Sequence, residues 1–208
     1  MAITSSINAF LQNVQNGVRP NLYLVDFAFP SGVDIENAQA VDDLSGLLCK
    51  AAALPASNLG VIEVPFRGRT VKIAGDRTFD TWTATFINDR NFAIRGAMEK
   101  WMEAINRHEQ NSAGLVLPNS TDGYLRDILV KQLERNDSDG GATKTVYKLW
   151  GCFPTNISQI DLAYDSNDQI EEFTVEFQYS YWKAVKPDQA GSLASEVAGN
   201  SVSTSITN

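Results

Sequence analysis

The stretch "EFTVEFQYSYW" (residues 172–182) alternates between apolar and polar side chains. The apolar set is Phe173, Val175, Phe177, Tyr179 and Tyr181. The polar set is Glu172, Thr174, Glu176, Gln178 and Ser180. Because successive side chains of an extended chain point to opposite sides, the pattern predicts a β-strand with one dry and one wet face. The functional question is whether the wet face borders solvent, a ligand or an aqueous passage inside a larger assembly.

A second alternating segment and one clear helix accompany this strand. In "RTFDTWTATFI" (77–87), the polar face consists of Thr81, Thr83 and Thr85, opposite Trp82, Ala84 and Phe86. The next segment carries one apolar stripe at helical spacing: Ile94, Met98, Trp101, Met102 and Ile105. This spacing predicts an amphipathic helix packed along one side. Its candidate N-caps are Asn88, Asp89 and Asn91.

Turn signals divide the remaining chain into short elements. "FRGR" (66–69) predicts the bend of a hairpin over 61–75, and "NDSDGG" (136–141) predicts a second hairpin. "SNDQ" (166–169) predicts a third, between 157–165 and 170–182. We expect a strand over 21–29 and an extended loop over 30–46. Residues 1–18 predict a short amphipathic helix with its apolar stripe at Ile7, Phe10, Leu11 and Val14. The predicted fold class is mainly β: an antiparallel sandwich or barrel with one flanking α-helix and extended loops.

The composition excludes some classes of function. The chain has 208 residues, a net charge of −8 and two cysteines. An acidic protein is poorly suited to neutralising nucleic-acid phosphates. Two distant cysteines in apolar surroundings predict buried thiols in a reducing compartment. The N-terminal segment lacks the features of a signal peptide, and no apolar run is long enough for a membrane span.

The sequence supplies no recognisable catalytic or metal-binding constellation. His108 is the only histidine, and its place at the end of the predicted helix suits a charge near the helix C-terminus. Asp165, Asn167 and Asp168 are spaced like calcium ligands, but the glutamate that completes such a loop is missing. No nucleophile motif or phosphate-binding loop is present. We therefore expect a protein that is not an enzyme and has no metal or cofactor.

Charged residues segregate into two predicted hairpins. One carries a basic cluster made of Arg67, Arg69, Lys72 and Arg77. The other carries an acidic cluster that includes Asp161, Asp165 and Asp168. Separated patches of opposite sign favour head-to-tail contact between copies of one chain. We expect the two clusters to meet across an interface between subunits or rings.

Two long stretches resemble the tail tube proteins of contractile-tailed (myovirus) bacteriophages. The first is "VPFRGRTVKIAGDRTFDTWTATFINDRNFAIRGAMEKWMEAIN" (64–106). The second is "LWGCFPTNISQIDLAYDSNDQIEEFTVEFQYSYW" (149–182), with a Gly-x-Phe-Pro turn and an aromatic final strand. The resemblance covers about residues 1–185, and the tube proteins of bacterial type VI secretion are similar.

The resemblance implies a structural virion protein. In that family a β-sandwich with a flanking helix closes into rings of six copies, and the rings stack into a tube around a continuous inner β-barrel. The implied partners are further copies of the chain, the tail sheath protein, and baseplate and tail terminator proteins. Viral DNA would pass through the tube without specific binding, and no membrane is involved. Assembly in the host bacterial cytoplasm and residence in the phage tail are expected.

On this interpretation the wet faces of the two alternating strands line the channel. The lumenal residues would be Glu172, Thr174, Glu176, Gln178 and Ser180, with Thr81, Thr83 and Thr85 beside them. Short polar and acidic side chains would repel phosphates, so that DNA slides without binding.

Other functions compete with the phage tube. One is a type VI secretion-like tube that delivers effectors, and another is a monomeric β-barrel module that binds a ligand on its aromatic stripe. We expect a tube domain over 1–183 and a C-terminal extension over 184–208. The extension has the composition of a linker and would be ordered by contact with the assembly.

Overall fold

A computed structural model describes residues 7–14, 17–115, 123–133 and 143–185 of the chain. The helices are α1 (Ile7–Val14), α2 (Ala38–Leu48) and α3 (Ala93–Ile105). The strands are β1 (Tyr23–Asp26), β2 (Cys49–Ala52), β3 (Asn58–Phe66), β4 (Arg69–Thr78), β5 (Trp82–Ile87), β6 (Arg126–Leu133), β7 (Thr143–Ile157), β8 (Glu172–Gln178) and β9 (Tyr181–Val185). The predicted mainly β, antiparallel fold class is confirmed. No described helix has the length and apolarity that a membrane span requires.

The long strand β7 belongs to two sheets. Its first half pairs with β6 and β9, and its second half pairs with β8. The strand order is β1-β6-β7-β8-β5-β2, with β9 also on β7. The change of partner falls at Gly151, whose φ of +66° is accessible to glycine at little cost. The Gly151 N–H donates to Asp127 Oδ1 at 3.0 Å, which holds the corner in place.

Aromatic side chains fill the space between the two sheets. Phe27 lies 5.3 Å from Phe86, 6.0 Å from Phe177 and 6.2 Å from Trp82, between ring centroids. The predicted dry faces are confirmed as far as Tyr179, because the following residues are all buried: Trp82, Ala84, Phe86, Phe173, Val175, Phe177 and Tyr179. Tyr181 was predicted on the same face but is 40% exposed, because the bend at Tyr179–Ser180 interrupts the alternation. These contacts orient both strands and leave their polar residues on the opposite face.

Helix α3 covers this core with the predicted stripe. Ile94, Met98 and Trp101 are buried, and Trp101 Nε1 donates to the carbonyl of Tyr124 at 2.9 Å. Of the three candidate caps, Asp89 serves the helix start. Its carboxylate accepts the Ile94 N–H at 3.3 Å and the Asn91 N–H at 3.0 Å.

The prediction of an extended loop over 30–46 is wrong in its second half, where α2 begins at Ala38. Val41 and Ser45 are its buried positions, and Ser45 Oγ donates to the Val41 carbonyl at 2.6 Å. The helix also approaches β1 very closely, since a Cβ on Gly46 would lie 2.7 Å from the Val25 carbonyl oxygen. This contact is made by small residues, so the segment lacks a strong apolar stripe. The one flanking helix that was predicted therefore has a second beside it.

Two predicted strand segments are interrupted. Residues 158–171 form an exposed loop in place of the first strand of the third hairpin, and β7 itself supplies the partner of β8. The stretch 172–182 is also not continuous, because the chain bends at Tyr179–Ser180 between β8 and β9. The "NDSDGG" turn lies outside the described residues, but the strands it was predicted to join, β6 and β7, do pair.

Strands β3 and β4 form the predicted hairpin, which we call the arm. Its turn residues Arg67 and Gly68 have φ of +46° and +81°, as a tight two-residue hairpin turn requires. Among the described strands, β3 and β4 pair only with each other. Every residue of β3 is exposed, so the arm stands clear of the core.

A Phe→Ala substitution should lower the free energy of unfolding strongly in the core and little on the arm. Phe86→Ala should lower the free energy of unfolding by about 3–5 kcal/mol, because a fully buried ring is removed. Phe66→Ala, at a position 61% exposed, should change it by about 0.5 kcal/mol or less. Urea denaturation of the unassembled subunit, followed by tryptophan fluorescence, measures both. Equal losses would contradict the placement of the arm outside the core.

Candidate functional site

The polar residues of β5 and β8 form one continuous surface. The two strands pair antiparallel with Thr83 opposite Glu176 and Thr85 opposite Thr174. The hydroxyls of Thr85 and Thr174 lie 3.1 Å apart in a hydrogen bond across the strands. At the other end, Gln178 Nε2 donates to Thr81 Oγ1 at 2.8 Å. We call this surface, from Thr81 and Gln178 to Glu172, the polar face.

Lys50 on β2 adds a positive charge that sequence reasoning missed. Its Nζ donates to both carboxylate oxygens of Glu172, at 2.6 and 2.7 Å. Within the described part of the chain, Glu176 forms no ion pair. The polar face therefore carries one compensated carboxylate and one free carboxylate. Because Lys50 lies in a short segment of ambiguous secondary structure, no signal in the sequence assigned it to this face.

Ser180 does not continue the polar face along β8. It lies at the bend before β9, where its N–H donates to the Trp150 carbonyl at 2.9 Å. On the other side of β8, Asn156 of β7 is exposed and pairs with Glu176. An irregularity between Pro154 and Asn156 interrupts the alternation there, which explains why Asn156 was not predicted.

The sheet that bears the polar face has two open edges. Among the described strands, β2 pairs only with β5, and the second half of β7 pairs only with β8. Edge strands present backbone N–H and C=O groups that another strand can satisfy. The sheet is thus able to continue into another chain on both sides.

The predicted basic cluster lies on the arm, as a set of exposed side chains. Arg67 occupies the turn and stacks on the Phe66 ring at 5.4 Å from its centroid. Lys72 pairs with Glu63 of the same arm at 3.5 Å, and Arg77 donates to Ser57 Oγ at 2.6 Å. Arg69 lies opposite Phe66 in the strand register. Such exposed contacts contribute about 0–1 kcal/mol each, so the cations remain available to a partner.

One face of the arm is largely apolar, a feature that the charge pattern of the sequence does not predict. Ile62 pairs with Ile73 and Val64 with Val71, so these side chains share one face with Phe66. Their exposures run from 42% to 61%. The alternation Ile62, Val64, Phe66 was a visible signal in the sequence. A contiguous exposed apolar surface of this kind marks an interaction site.

The predicted acidic cluster lies on the loop 158–171. Asp161, Asp165 and Asp168 are all exposed, and Asp168 has a φ of +62° in a turn. No ion pair among the described residues joins them to the basic cluster. The same loop exposes Leu162, Tyr164 and Ile170, with Tyr164 fully in solvent. The loop is therefore a second surface with both apolar and charged groups, which the described residues of its own subunit leave uncovered.

The remaining reactive side chains are structural or isolated. Cys49 and Cys152 are free and buried. Burial raises the pKa of the Cys49 thiol to about 12, and burial together with the nearby Asp127 raises the pKa of Cys152 further. His108 Nδ1 contacts the Glu103 carboxylate at the exposed end of α3. In the described ranges, no group of three or more His, Cys, Asp or Glu side chains is placed to hold a metal ion.

Asp127 and Lys148 form an ion pair below the strand corner. Lys148 Nζ lies 3.0 Å from Asp127 Oδ2 and 5.0 Å from the centre of the Trp150 ring, and only 3% of Lys148 is exposed. The other carboxylate oxygen of Asp127 accepts the Gly151 N–H. Both charges are used within the fold, so this pair is a structural element.

Comparison with known proteins relates the chain to one family. The family model for phage tail tube protein matches residues 18–185. The tail tube protein gp19 of Enterobacteria phage T4 is 33% identical over 161 residues, which are 76% of this chain and 92% of that protein. The tube-terminating cap of the anti-feeding prophage aligns with a TM-score of 0.58 at 17% identity, over 89% of this chain and 99% of that one.

One chain of a sheath–tube complex from an extracellular contractile injection system also shares the fold. It aligns with a TM-score of 0.53 at 12% identity, over 88% of this chain and 99% of the other. The family model covers most of the chain, and the T4 relative is matched over more than two thirds of its length. The chain therefore belongs to the phage tail tube protein family.

Proposed function

We propose that this protein assembles into stacked rings of six copies that form the tube of a contractile phage tail. The observation that carries the proposal is the arm, which projects from the domain with an apolar face that its own subunit leaves uncovered. In a chain of the tail tube family, the natural cover is another copy. Each half-exposed Val, Ile or Phe buried in that contact contributes about 1 kcal/mol.

The open sheet edges supply the closure of the ring. β2 of one copy and the second half of β7 of the next would lie side by side, so that the sheet bearing the polar face continues around the bore. Each edge then gains the backbone hydrogen bonds that it lacks in the single chain. A closed barrel has no remaining edge strand.

The polar face would form the wall of the channel. Thr83, Thr85 and Thr174 are short and hydrogen-bonded, and Glu176 contributes a free carboxylate in every copy. Lys50 neutralises Glu172, so the negative field is weaker than two free carboxylates would give. The Debye length is about 8 Å at physiological salt, so the repulsion acts only on DNA close to the wall. Such a wall lowers friction for a polyanion.

The further partners follow from the same assembly. The sheath–tube complex is a structural neighbour, which supports a sheath protein around this tube. Baseplate and terminator proteins would cap its ends, and viral DNA would leave through it without specific binding. The protein would be assembled in the host cytoplasm and reside in the virion.

Residues 184 and 185 belong to β9, so the proposed extension begins after them and lies outside the described residues. It would run along a neighbouring subunit.

The purified protein should form rings or hollow tubes. Negative-stain and cryo-electron microscopy of the concentrated protein, with and without baseplate seeds, test this directly. Size-exclusion chromatography separates the tube from a ligand-binding module, which would elute near its monomer mass of 22.8 kDa. A sample that stays monomeric at high concentration and on seeds would contradict the proposal.

Charge reversal on the arm should block polymerisation. The double variant Arg67→Glu and Arg69→Glu removes attraction to the acidic loop and adds repulsion, repeated around every ring. Each ion pair contributes only about 0–1 kcal/mol, but the contact is repeated in each of the six copies of a ring. Combining it with Asp161→Lys and Asp165→Lys should restore tubes, as measured by sedimentation and microscopy. Arg107→Glu, an exposed change on another loop, is the control. Normal tubes from the double arm variant alone would refute the pairing.

Reversing the charge of the channel wall should slow genome release. The double variant Glu172→Lys and Glu176→Lys places cations where phosphates would pass. It also removes the exposed ion pair between Glu172 and Lys50, which costs the fold about 0–1 kcal/mol, so the subunit should still fold. Phage carrying the variant should assemble but eject DNA slowly in a dye-release assay. Glu99→Lys, on the exposed side of α3, is the control. Ejection at the wild-type rate would show that the polar face does not line the bore.

A further inference from the structure

An open groove lies between α2 and α3, on the side of the domain away from the polar face. It encloses about 540 Å³, and its lining combines apolar residues, several of them small, with four polar or charged ones: Glu36, Asn37, Asn91 and Lys100. Val41 and Leu44 line it from α2, and Ala93, Gly96 and Ala97 line it from α3. A Cβ placed on Gly96 would meet no atom within 4 Å. The groove is therefore open beside Gly96, where the side chains of α3 are small.

The rim of the groove is held in an unfavourable backbone conformation. Asn37 before α2 and Phe92 before α3 both have left-handed φ, +52° and +55°, and neither side chain caps its helix. For a bulky residue such as Phe92 this conformation is an outlier. The Phe92 ring is 49% exposed beside the groove. Backbone strain of this kind concentrates at binding sites.

The chain also contains a helix that has no cover. α1 exposes Ile7, Phe10 and Leu11 at 75%, 64% and 61%, and Val14 at 44%, in one stripe at i, i+3, i+4 and i+7 spacing. A helix of eight residues is not stable alone in water, so α1 requires a surface to pack on. α1 itself carries no charged residue, so the charges that docking would cover are those of Glu36 and Lys100 in the groove lining.

The helix and the groove match in length. α1 is about 12 Å long at 1.5 Å per residue, and the lining of the groove from Asn37 to Leu44 extends over about the same distance. The small residues of the groove lining leave room for the large apolar side chains of a docked helix. The amphipathic stripe of α1 supplies those side chains.

We propose that α1 of one copy docks into the α2–α3 groove of a neighbouring copy. In the same subunit the stripe of α1 is exposed, and the chain that follows is fixed elsewhere. Gln132 Nε2 donates hydrogen bonds to the carbonyls of Arg19 and Leu22. The Tyr23 hydroxyl donates to the carbonyl of Cys49, which follows the C-terminal end of α2, whereas the groove lies at its N-terminal part. This exchange rests on the proposed self-assembly, and it would latch adjacent subunits by a contact separate from the arm and the sheet edges.

Cross-linking between differently labelled copies tests the exchange. One full-length copy carries Leu11→Cys, the other carries Gly96→Cys and a different affinity tag, and a short bismaleimide is added to the mixed assembly. The native thiols are buried and should react little. We expect a cross-linked pair bearing both tags. Arg107→Cys, which is exposed beyond the C-terminal end of α3 and outside the groove lining, replaces Gly96→Cys as the control and should give little product.

The outcomes separate this contact from the tube itself. Tubes that form without the mixed product, or a cross-link found only when both cysteines are in one chain, would overturn the exchange and leave the tube intact. Absence of any polymer, with the wild-type chain as well, would overturn the tube function and this contact with it.

Filling the groove gives an independent measure. Gly96→Trp should raise the concentration needed for polymerisation by about tenfold, because α1 loses roughly one buried apolar side chain. Gly96→Ala, whose methyl group meets open space, should change it by less than about twofold. Equal effects of the two variants, or none, would contradict docking of α1 in this groove.

Discussion

The packing of Phe27 against Trp82, Phe86 and Phe177 is the interaction on which the rest of the structure depends. It buries the apolar sides of β5 and β8, and a strand has only two sides. Once these rings are inside, the threonines and glutamates of the same strands must lie outside together. The core thereby determines both the stability of the subunit and the chemistry of the surface opposite it. A shift of one residue in either strand would exchange the two faces.

Strong alternation and strong stripes made this part of the molecule predictable from sequence. The faces of β5 and β8, the stripe of α3 and the turn at Arg67–Gly68 all follow from local patterns. Helix α2 did not, because it approaches β1 at Gly46 and buries Ser45, and these residues carry little apolar signal. The bend at Tyr179–Ser180 was also hidden, since the apolar alternation continues through it. Lys50 reaches Glu172 only by tertiary pairing, which spacing along the chain cannot reveal.

The subunit keeps an unusual amount of apolar surface in water. The arm, the loop 158–171 and α1 each expose large hydrophobic side chains. The net charge of −8 and the charged residues on the arm and the loop 158–171 favour solubility before assembly. In the proposed assembly, stability would be divided between a compact core, formed within one chain, and several peripheral contacts between copies, none of them strong alone. A division of this kind lets a subunit fold first and join a polymer afterwards, when a growing end presents all the contacts at once.

The shared strand β7 has a mechanical meaning. Because one backbone passes through Gly151 from the first sheet to the second, the two sheets are joined by covalent bonds as well as by side-chain packing. A pull on one sheet is carried into the other along the main chain. The sandwich therefore cannot be sheared apart at its middle without breaking the hydrogen bonds of both sheets together. A tube built from such subunits would resist axial thrust as a stiff rod, and it would yield at the joints between copies before the subunits themselves deform.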